Sequence, residues 1–250
     1  MKLKNKIKKY LFNLMNVERV DKYIKSSIAN KDFTEFEIDV IDKVSSFTMT
    51  SPERIVALIR ATEYIENNNI KGAFVECGVW KGGSIMTVIH TLNSMNKSEK
   101  DIYLYDTYEG MTEPTDVDFS YKGNSAKKIY KDKQGDWCYS SLDEVKANIS
   151  SIAYPSEKIF YIKGRVEETI PNNKVPEKIA LLRLDTDWYE STLHEMKHLF
   201  PKLIKGGIII IDDYGHWGGC KKAVDEYLDK NNILLFLSRV DYTCRIGVKL

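Results

Sequence analysis

The sequence predicts an α/β domain built on a mainly parallel β-sheet. Apolar runs of strand length alternate with helix-length segments between about residues 72 and 230. Two of these runs, IALLRLDTD (179–187) and IIIIDDYG (208–215), end in aspartates, and the last two apolar runs are separated only by a tight turn. Strands that alternate with helices form a parallel sheet with helices on both faces. The 250 residues fit one such domain with a helical N-terminal extension.

Residues 1–48 are predicted to form this helical extension, and residues 49–250 the α/β domain. The N-terminal segment MKLKNKIKKYLFNLMNVERV is basic and weakly amphipathic, but Lys, Asn and Glu interrupt its apolar positions. It is therefore predicted to be neither a signal peptide nor a membrane-spanning helix. Its lysines could contact an anionic membrane, although a solvated helix face is the more ordinary interpretation.

The α/β domain is predicted to begin with a helix over residues 50–67. Thr50 or Ser51 is the expected N-cap. Pro52 lies in the first turn, and Glu53 follows Thr50 at the spacing of a capping box. This combination of residues is typical of a helix start.

The remaining elements follow in a regular order. They are a strand at 72–77, a helix at 83–95, a strand at 101–106, a helix at 143–149, strands at 158–163 and 179–184, a helix at 189–204, a strand at 207–211 and a helix at 219–230. Two final strands, at 234–240 and 244–249, are joined by a tight turn and must pair antiparallel. A parallel sheet that finishes in one reversed hairpin strand is the layout of Rossmann-like methyltransferases.

Composition excludes several classes of protein. A formal net charge of +1 and a pI near 7.6 argue against a nucleic-acid partner. No segment of the sequence is expected to span a membrane. The four cysteines are widely spaced and form no CxxC pair, so a disulfide framework is not expected. These features favour a cytoplasmic protein.

Acidic residues follow the two strands that end in aspartate. Asp185 and Asp187 follow the first of them, and Asp212 and Asp213 follow the second. The carboxyl ends of neighbouring parallel strands open into the same crevice, so these four side chains are expected to converge. Mg²⁺ prefers oxygen ligands, so a group of carboxylates suits it better than a group of Cys or His side chains would. For any one of these acids, capping of the following helix is about as good an explanation.

A glycine-rich turn follows the first strand and reads VECGVWKGGS (75–84). Its glycines allow a close backbone approach, and the helix start beyond them can bind an anionic group. The spacing matches neither GxGxxG nor a Walker A motif. The second strand ends at Asp106, a position where an acid commonly binds ribose hydroxyls. Together these features predict a pocket for a ribose-bearing cofactor beside the cation site.

The segments VECGVWKGGS, DTYEGM, IALLRLDTDWYEST and IIIIDDYGHWGGCKKAVDEYL together resemble the macrocin O-methyltransferase (TylF-type) family. Its members methylate sugar hydroxyls of antibiotics with S-adenosylmethionine and Mg²⁺. The resemblance covers the chain from about residue 48 to its end, and it implies a class I methyltransferase fold. It also implies a small-molecule or glycan acceptor and suggests a homo-oligomer.

The resemblance assigns roles to individual residues. The implied cofactor-binding residues are Thr50, Ser51, Glu76, Gly78, Val79, Trp80, Ser84, Asp106 and Arg165, and the implied metal ligands are Asp185, Asp212 and Asp213. Family members often have an acid at the position of Arg165. Asp185 or Asp187 is the expected proton acceptor, and His216 is the competing base. A metal that chelates two neighbouring hydroxyls would both activate and orient the acceptor.

Three alternatives remain at this stage. The same acids and ribose pocket could serve a metal-dependent glycosyltransferase, and a non-catalytic binding protein could share the fold. HEMKH (194–198) matches the zinc-protease motif HExxH, but its helix links two strands of the predicted sheet and no third ligand follows at the usual spacing.

The polar stretch at about 107–140 is rich in aromatic residues and is expected to be a lid over the acceptor.

Overall fold

The computed structural model describes residues 32–133 and 137–250. A seven-stranded sheet has the strand order β3-β2-β1-β4-β5-β7-β6. The strands are β1 (Ala73–Cys77), β2 (Ile102–Asp106), β3 (Ile159–Lys163), β4 (Ile179–Leu184), β5 (Leu203–Ile211), β6 (Ser238–Arg239) and β7 (Arg245–Val248). Strands β1 to β5 are parallel, whereas β7 pairs antiparallel with both β5 and β6. The predicted fold class is confirmed.

Helices cover both faces of this sheet. They are α1 (Glu35–Val44), α2 (Pro52–Asn67), α3 (Gly83–Ser94), α4 (Ala126–Lys133), α5 (Leu142–Ser150), α6 (Val166–Thr169), α7 (Tyr189–His198) and α8 (Gly218–Lys230). Apolar residues of α1, α2, α3 and α5 form the core on one face. Those of α6, α7 and α8 form the core on the other face. The predicted helix at 143–149 is confirmed as α5.

The N-cap of α2 is one of the two predicted residues, whereas the end of α7 differs from the prediction. The N-cap of α2 is Ser51, whose Oγ accepts a hydrogen bond from Arg54 N, so Glu53 does not complete a capping box with Thr50. Helix α7 ends at His198 instead of residue 204, because Pro201 lies in a short 3₁₀ turn that leads directly into β5.

The final hairpin is also shorter than predicted. Only Ser238 and Arg239 of the expected strand at 234–240 pair with β7. The side chains of Leu234 and Phe236 are 96% and 83% exposed. Apolar alternation predicted a strand here, but this segment lies at the edge of the sheet, where few backbone partners are within reach.

Residues 1–31 of the predicted N-terminal extension lie outside the described residues. The described part of the extension contains α1, which begins with a capping box between Thr34 and Glu37. Across residues 32–133 and 137–250, no helix is both long and apolar enough to cross a membrane. The four cysteines, Cys77, Cys138, Cys220 and Cys244, are free thiols, as predicted.

Candidate active site

A cavity of about 420 Å³ opens at the carboxyl edge of the sheet, beside the ends of β1, β2, β4 and β5. Ligand pockets in open α/β sheets occupy this position. Many of the residues that line it were predicted from the sequence as site residues. They are Thr50, Gly78, Val79, Trp80, Ser84, Asp106, Asp185, Asp187, Asp212, Asp213 and His216. The structure therefore brings together most of the residues predicted from the motifs.

The glycine-rich turn enters this cavity because β1 and β4 meet closely at their ends. Gly78 has a φ of +84°, and a Cβ at this position would lie 2.0 Å from the backbone oxygen of Asp185. The backbone N–H of Asp185 donates to the carbonyl of Cys77 over 2.8 Å. Only glycine combines this conformation with this approach. The first turn of α3 follows. Its N-cap is Gly82, which has no side chain to accept a hydrogen bond from the first turn.

Asp106 holds the same turn in place from the end of β2. Its Oδ2 accepts hydrogen bonds from the backbone N–H groups of Val79 at 2.6 Å and Trp80 at 3.1 Å. Its Oδ1 accepts one from Tyr108 N at 2.7 Å. The carboxylate predicted to bind ribose is thus positioned at the cavity wall by backbone donors.

The four aspartates predicted to converge all line this cavity, and three of them form a tight group. Oxygen atoms of Asp185, Asp187 and Asp213 lie within 4.8 Å of one another. Asp187 has a φ of +68°. Asp212, the other predicted ligand, lines the same cavity beside this group.

Asp212 is instead paired with two arginines that the sequence analysis did not identify. Its Oδ1 accepts from Arg183 Nη2 at 2.7 Å, and its Oδ2 pairs with Arg54 Nη1. Arg183 Nη1 also donates to Glu76 Oε1 at 2.8 Å and to Asp185 Oδ2 at 2.7 Å. Arg183 lies within the apolar run of β4, and a buried cation in a strand requires carboxylate partners. That interruption of the strand was the available signal in the sequence.

The titration behaviour of the acids follows from burial and from these two arginines. Burial raises the pKa of Asp185 and of Asp213 well above the usual range, and raises that of Asp187 to about 7. Burial alone would also raise the pKa of Asp212, but Arg183 and Arg54 hold it below its ordinary value. The three clustered acids therefore retain protons or require a further cation near neutral pH.

Three residues predicted to bind the cofactor do not line this cavity. Ser51 Oγ donates to Asp241 Oδ2 at 3.0 Å. Glu76 is buried beneath the turn, where burial raises its pKa to about 7 despite the neighbouring Arg183. Arg165 lines a smaller adjoining cavity of about 60 Å³ that also contacts Asp106.

The two histidine-based alternatives find little support in the contacts. His216 Nδ1 lies 3.0 Å from the Tyr242 hydroxyl, and burial lowers the pKa of this histidine. In HEMKH, His194 Nε2 lies 2.7 Å from the carbonyl of Ile170. Glu195 is fully buried and accepts from Thr186 Oγ1 at 2.9 Å, so it faces the sheet rather than a zinc site.

The segment 107–140 packs against the acidic strand ends. Asp118 is buried, and its Oδ1 accepts from the backbone N–H of Tyr189, the first residue of α7, over 2.9 Å. The ring of Trp137 contacts that of Trp188 at a centroid distance of 5.6 Å. This segment therefore forms one wall of the cavity rather than an isolated loop.

Comparison with known proteins agrees with this geometry. A profile of the family described as Macrocin-O-methyltransferase (TylF) matches residues 3–247, which is nearly the whole chain. The chain belongs to the macrocin O-methyltransferase family. It is 29% identical over 197 residues to demethyldecarbamoylnovobiocin O-methyltransferase of Streptomyces niveus, covering 79% of this chain and 73% of that protein.

Other members of the macrocin O-methyltransferase family and related folds extend this result. A second relative is the 8-demethyl-8-(2,3-dimethoxy-alpha-L-rhamnosyl)-tetracenomycin-C 4'-O-methyltransferase of Streptomyces olivaceus. It is 29% identical over 196 residues, covering 78% of this chain and 73% of that protein. The solved structure of the O-methyltransferase NovP superposes with a TM-score of 0.73 at 24% identity, covering 94% of this chain and 99% of that one.

Membership of the macrocin O-methyltransferase family identifies the chain as an S-adenosylmethionine-dependent O-methyltransferase with the class I fold. The glycosyltransferase, the non-catalytic binding protein and the zinc protease are set aside on the same grounds. The predicted family and the predicted enzyme class are confirmed.

Proposed function

We propose that this enzyme is Mg²⁺-dependent and methylates one hydroxyl of a vicinal pair on a sugar. The names of two relatives point to sugar-bearing antibiotics, one of them carrying a rhamnosyl group. The observation that carries the proposal is the convergence of Asp185, Asp187 and Asp213 at the cavity wall. Carboxylate oxygens in such a group are the ligands that Mg²⁺ prefers.

The charges around this group fit a divalent cation. The site contains the guanidinium groups of Arg54 and Arg183 and a larger set of carboxyl groups, namely Glu76, Asp185, Asp187, Asp212, Asp213 and Asp241. Among the described residues, the buried Oδ2 of Asp213 has no hydrogen-bond partner. A buried carboxylate oxygen without a donor is costly unless it binds a proton or a metal. Asp185, Asp187 and Asp213 would hold the ion, with Asp212 beside them.

A bound Mg²⁺ would lower the pKa of an acceptor hydroxyl and fix its orientation. Asp187 is the residue that we assign as proton acceptor. Its carboxylate lines the cavity beside those of Asp185 and Asp213, so it would lie within reach of the proton of the acceptor hydroxyl. Asp185 is less suited to this role, because Arg183 already donates to its Oδ2.

The cofactor is assigned to the glycine-rich side of the cavity. Val79, Trp80 and Ser84 line the cavity next to the first turn of α3. Helix N-termini bind carboxylates, as the methionine part requires. Asp106 is assigned to the ribose, and Thr50 also lines the cavity.

Arg165 borders the adjoining cavity next to Asp106, a position suited to the adenine end of the cofactor. Glu76 and Ser51 are assigned supporting roles, because Glu76 is bound to Arg183 and Ser51 is bound to Asp241. We further propose that residues 49–250 form the catalytic domain and that the segment 107–140 covers the acceptor.

The proposal is tested by methyl transfer from labelled S-adenosylmethionine to a panel of methyl glycosides, with and without EDTA. We expect transfer only to sugars that present neighbouring hydroxyls, and we expect EDTA to abolish it until Mg²⁺ is restored. Full activity after chelation would contradict the metal role. Equal transfer to sugars whose neighbouring hydroxyl is blocked would contradict the requirement for a vicinal pair.

A further inference from the structure

Three aromatic side chains from separate parts of the chain meet beside the cavity, and two of them, His216 and Tyr242, line it. They are Tyr121 of the segment 107–140, His216 of the loop after β5, and Tyr242 of the turn before β7. Their ring centroids are separated by 5.5 Å between Tyr121 and His216, 5.6 Å between Tyr121 and Tyr242, and 5.9 Å between His216 and Tyr242. We call these residues the aromatic rim.

The aromatic rim is exposed although it is held in place. Tyr121 is 58% exposed and Tyr242 is 48% exposed. The backbone N–H of Tyr121 donates to the carbonyl of His216 over 2.7 Å, and His216 Nδ1 lies 3.0 Å from the Tyr242 hydroxyl. Large exposed rings contribute nothing to the core, so their fixed placement points to a ligand.

The approach of the two loops that carry the rim depends on Gly215. A Cβ at this position would lie 2.0 Å from the carbonyl oxygen of Tyr242. Gly215 N also donates to the carbonyl of Thr243 over 2.7 Å. Close packing of these loops places the Tyr242 ring beside His216, and both residues line the cavity that contains the acids.

We propose that the aromatic rim binds the planar or ring-shaped group attached to the methylated sugar, which is a proposal that rests on the proposed function above. The reacting hydroxyl must lie beside Asp187, at the inner wall of the cavity. The substituent on the sugar then extends to the mouth, where Tyr121 and Tyr242 offer exposed ring faces. Aromatic rings that are already held in position bind such groups with little loss of side-chain conformational entropy.

The rings of the aromatic rim, rather than a net charge, select the occupant. Lys122 Nζ lies 5.4 Å from the centroid of the Tyr121 ring, and Arg54, Asp241 and Asp213 act electrostatically on Tyr242, so charges of both signs surround the rim. The three residues share an aromatic ring close to the cavity that contains the acids. The proposed substituent is therefore an aromatic aglycone.

The test compares two acceptors that share one sugar, 4-nitrophenyl α-L-rhamnoside and methyl α-L-rhamnoside. Their binding to the protein saturated with S-adenosylhomocysteine is measured by calorimetry, so turnover is not required. We expect the aryl glycoside to bind about three- to tenfold more tightly to the wild type, as for one aromatic contact. In Tyr121→Ala this advantage should disappear, while the affinity for S-adenosylhomocysteine should stay unchanged.

Two further variants separate ring contact from folding. Tyr121→Phe keeps the ring and should keep the preference for the aryl glycoside. Phe236→Ala removes an exposed aromatic ring at the sheet edge, far from the cavity lining, and should also keep it. A folded Tyr121→Ala protein that retains the preference would overturn the proposal, as would equal or undetectable binding of both glycosides to the wild type.

The same measurements distinguish failure of the aromatic rim as a binding site from failure of the proposed methyl transfer. If the wild type binds the aryl glycoside preferentially but transfers no methyl group to any glycoside, the assigned reaction fails and the binding role of the rim stands. If the wild type methylates glycosides without preferring aryl substituents, the reaction stands and the aromatic rim is not a binding site.

Discussion

At the scale of single residues, Arg183 organises the acidic site. Arg183 belongs to β4, and its guanidinium group donates hydrogen bonds of 2.7–2.8 Å to Glu76, Asp185 and Asp212. The side chain of Arg183 is only 4% exposed. A buried ion pair adds little net stability, but loss of one partner leaves the other charges buried and uncompensated.

We therefore predict that Arg183→Met lowers the free energy of unfolding by about 3–5 kcal/mol, the usual cost of breaking a buried charge network. Urea denaturation followed by circular dichroism measures this change. Lys205→Met is the matched control, because Lys205 is an exposed cation in the neighbouring strand β5. Similar unfolding midpoints for the two variants would show that Arg183 does not compensate these acids.

Glu195 gives a second prediction, on the dependence of stability on pH. Burial raises the pKa of this carboxyl well above its unfolded value of 4.5. Between those two pKa values the folded state binds more protons than the unfolded state, so stability falls as pH rises. Glu195→Gln mimics the protonated side chain and should remove this contribution. The variant should gain stability relative to the wild type as pH increases from 5 to 8, by at most about 1.4 kcal/mol per pH unit.

Thermal unfolding at several pH values measures this difference. Glu190→Gln is the matched control, since Glu190 lies on the same helix and is exposed. A pH profile of Glu195→Gln that runs parallel to that of the wild type would show that Glu195 is ionised in the folded protein.

At the scale of elements, the site depends on the close approach of β1 and β4. Gly78 permits this approach, because a side chain there would overlap the backbone of Asp185. Gly123 has a similar φ of +78°, yet a Cβ there would meet no atom within 4 Å. The two glycines thus share a conformational requirement and differ only in steric contact.

We predict that Gly78→Ala abolishes measurable binding of S-adenosylhomocysteine and destabilises the protein by more than Gly123→Ala does. Both substitutions carry a penalty of about 1–2 kcal/mol for the left-handed backbone, and only Gly78→Ala adds an overlap between strands. Calorimetric titration and urea denaturation provide the measurements. Equal effects of the two substitutions would mean that the close approach is not required.

The elements were predictable where local pattern decides them. Alternating apolar runs located β1 to β5, and the acids after β4 and β5 converge because parallel strands end at one edge. The pairing of Asp212 with Arg54 was not predictable. It depends on Arg54, which is distant in sequence and reaches the site from α2. Likewise, the hairpin strand was predicted too long, because alternation does not reveal which strand lies at an edge.

At the scale of the whole molecule, three separate parts of the chain enclose the cavity. Residues around Thr50 cover it from the N-terminal side, the segment 107–140 forms one wall, and the turn containing Tyr242 completes the mouth. Arg54 joins two of these parts to the sheet, since it pairs with Asp212 after β5 and with Asp241 before β7. The proposed cofactor, cation and acceptor sites are therefore contiguous.

The central claim is that Asp185, Asp187 and Asp213 hold one divalent cation in this cavity. Titration with Mn²⁺, a spectroscopic substitute for Mg²⁺, followed by electron paramagnetic resonance, tests it directly. We predict one bound Mn²⁺ per chain in the wild type and in Asp229→Asn, an exposed carboxylate at the end of α8, and none in a folded Asp213→Asn protein. Undiminished Mn²⁺ binding by Asp213→Asn, or no binding by the wild type, would contradict the account.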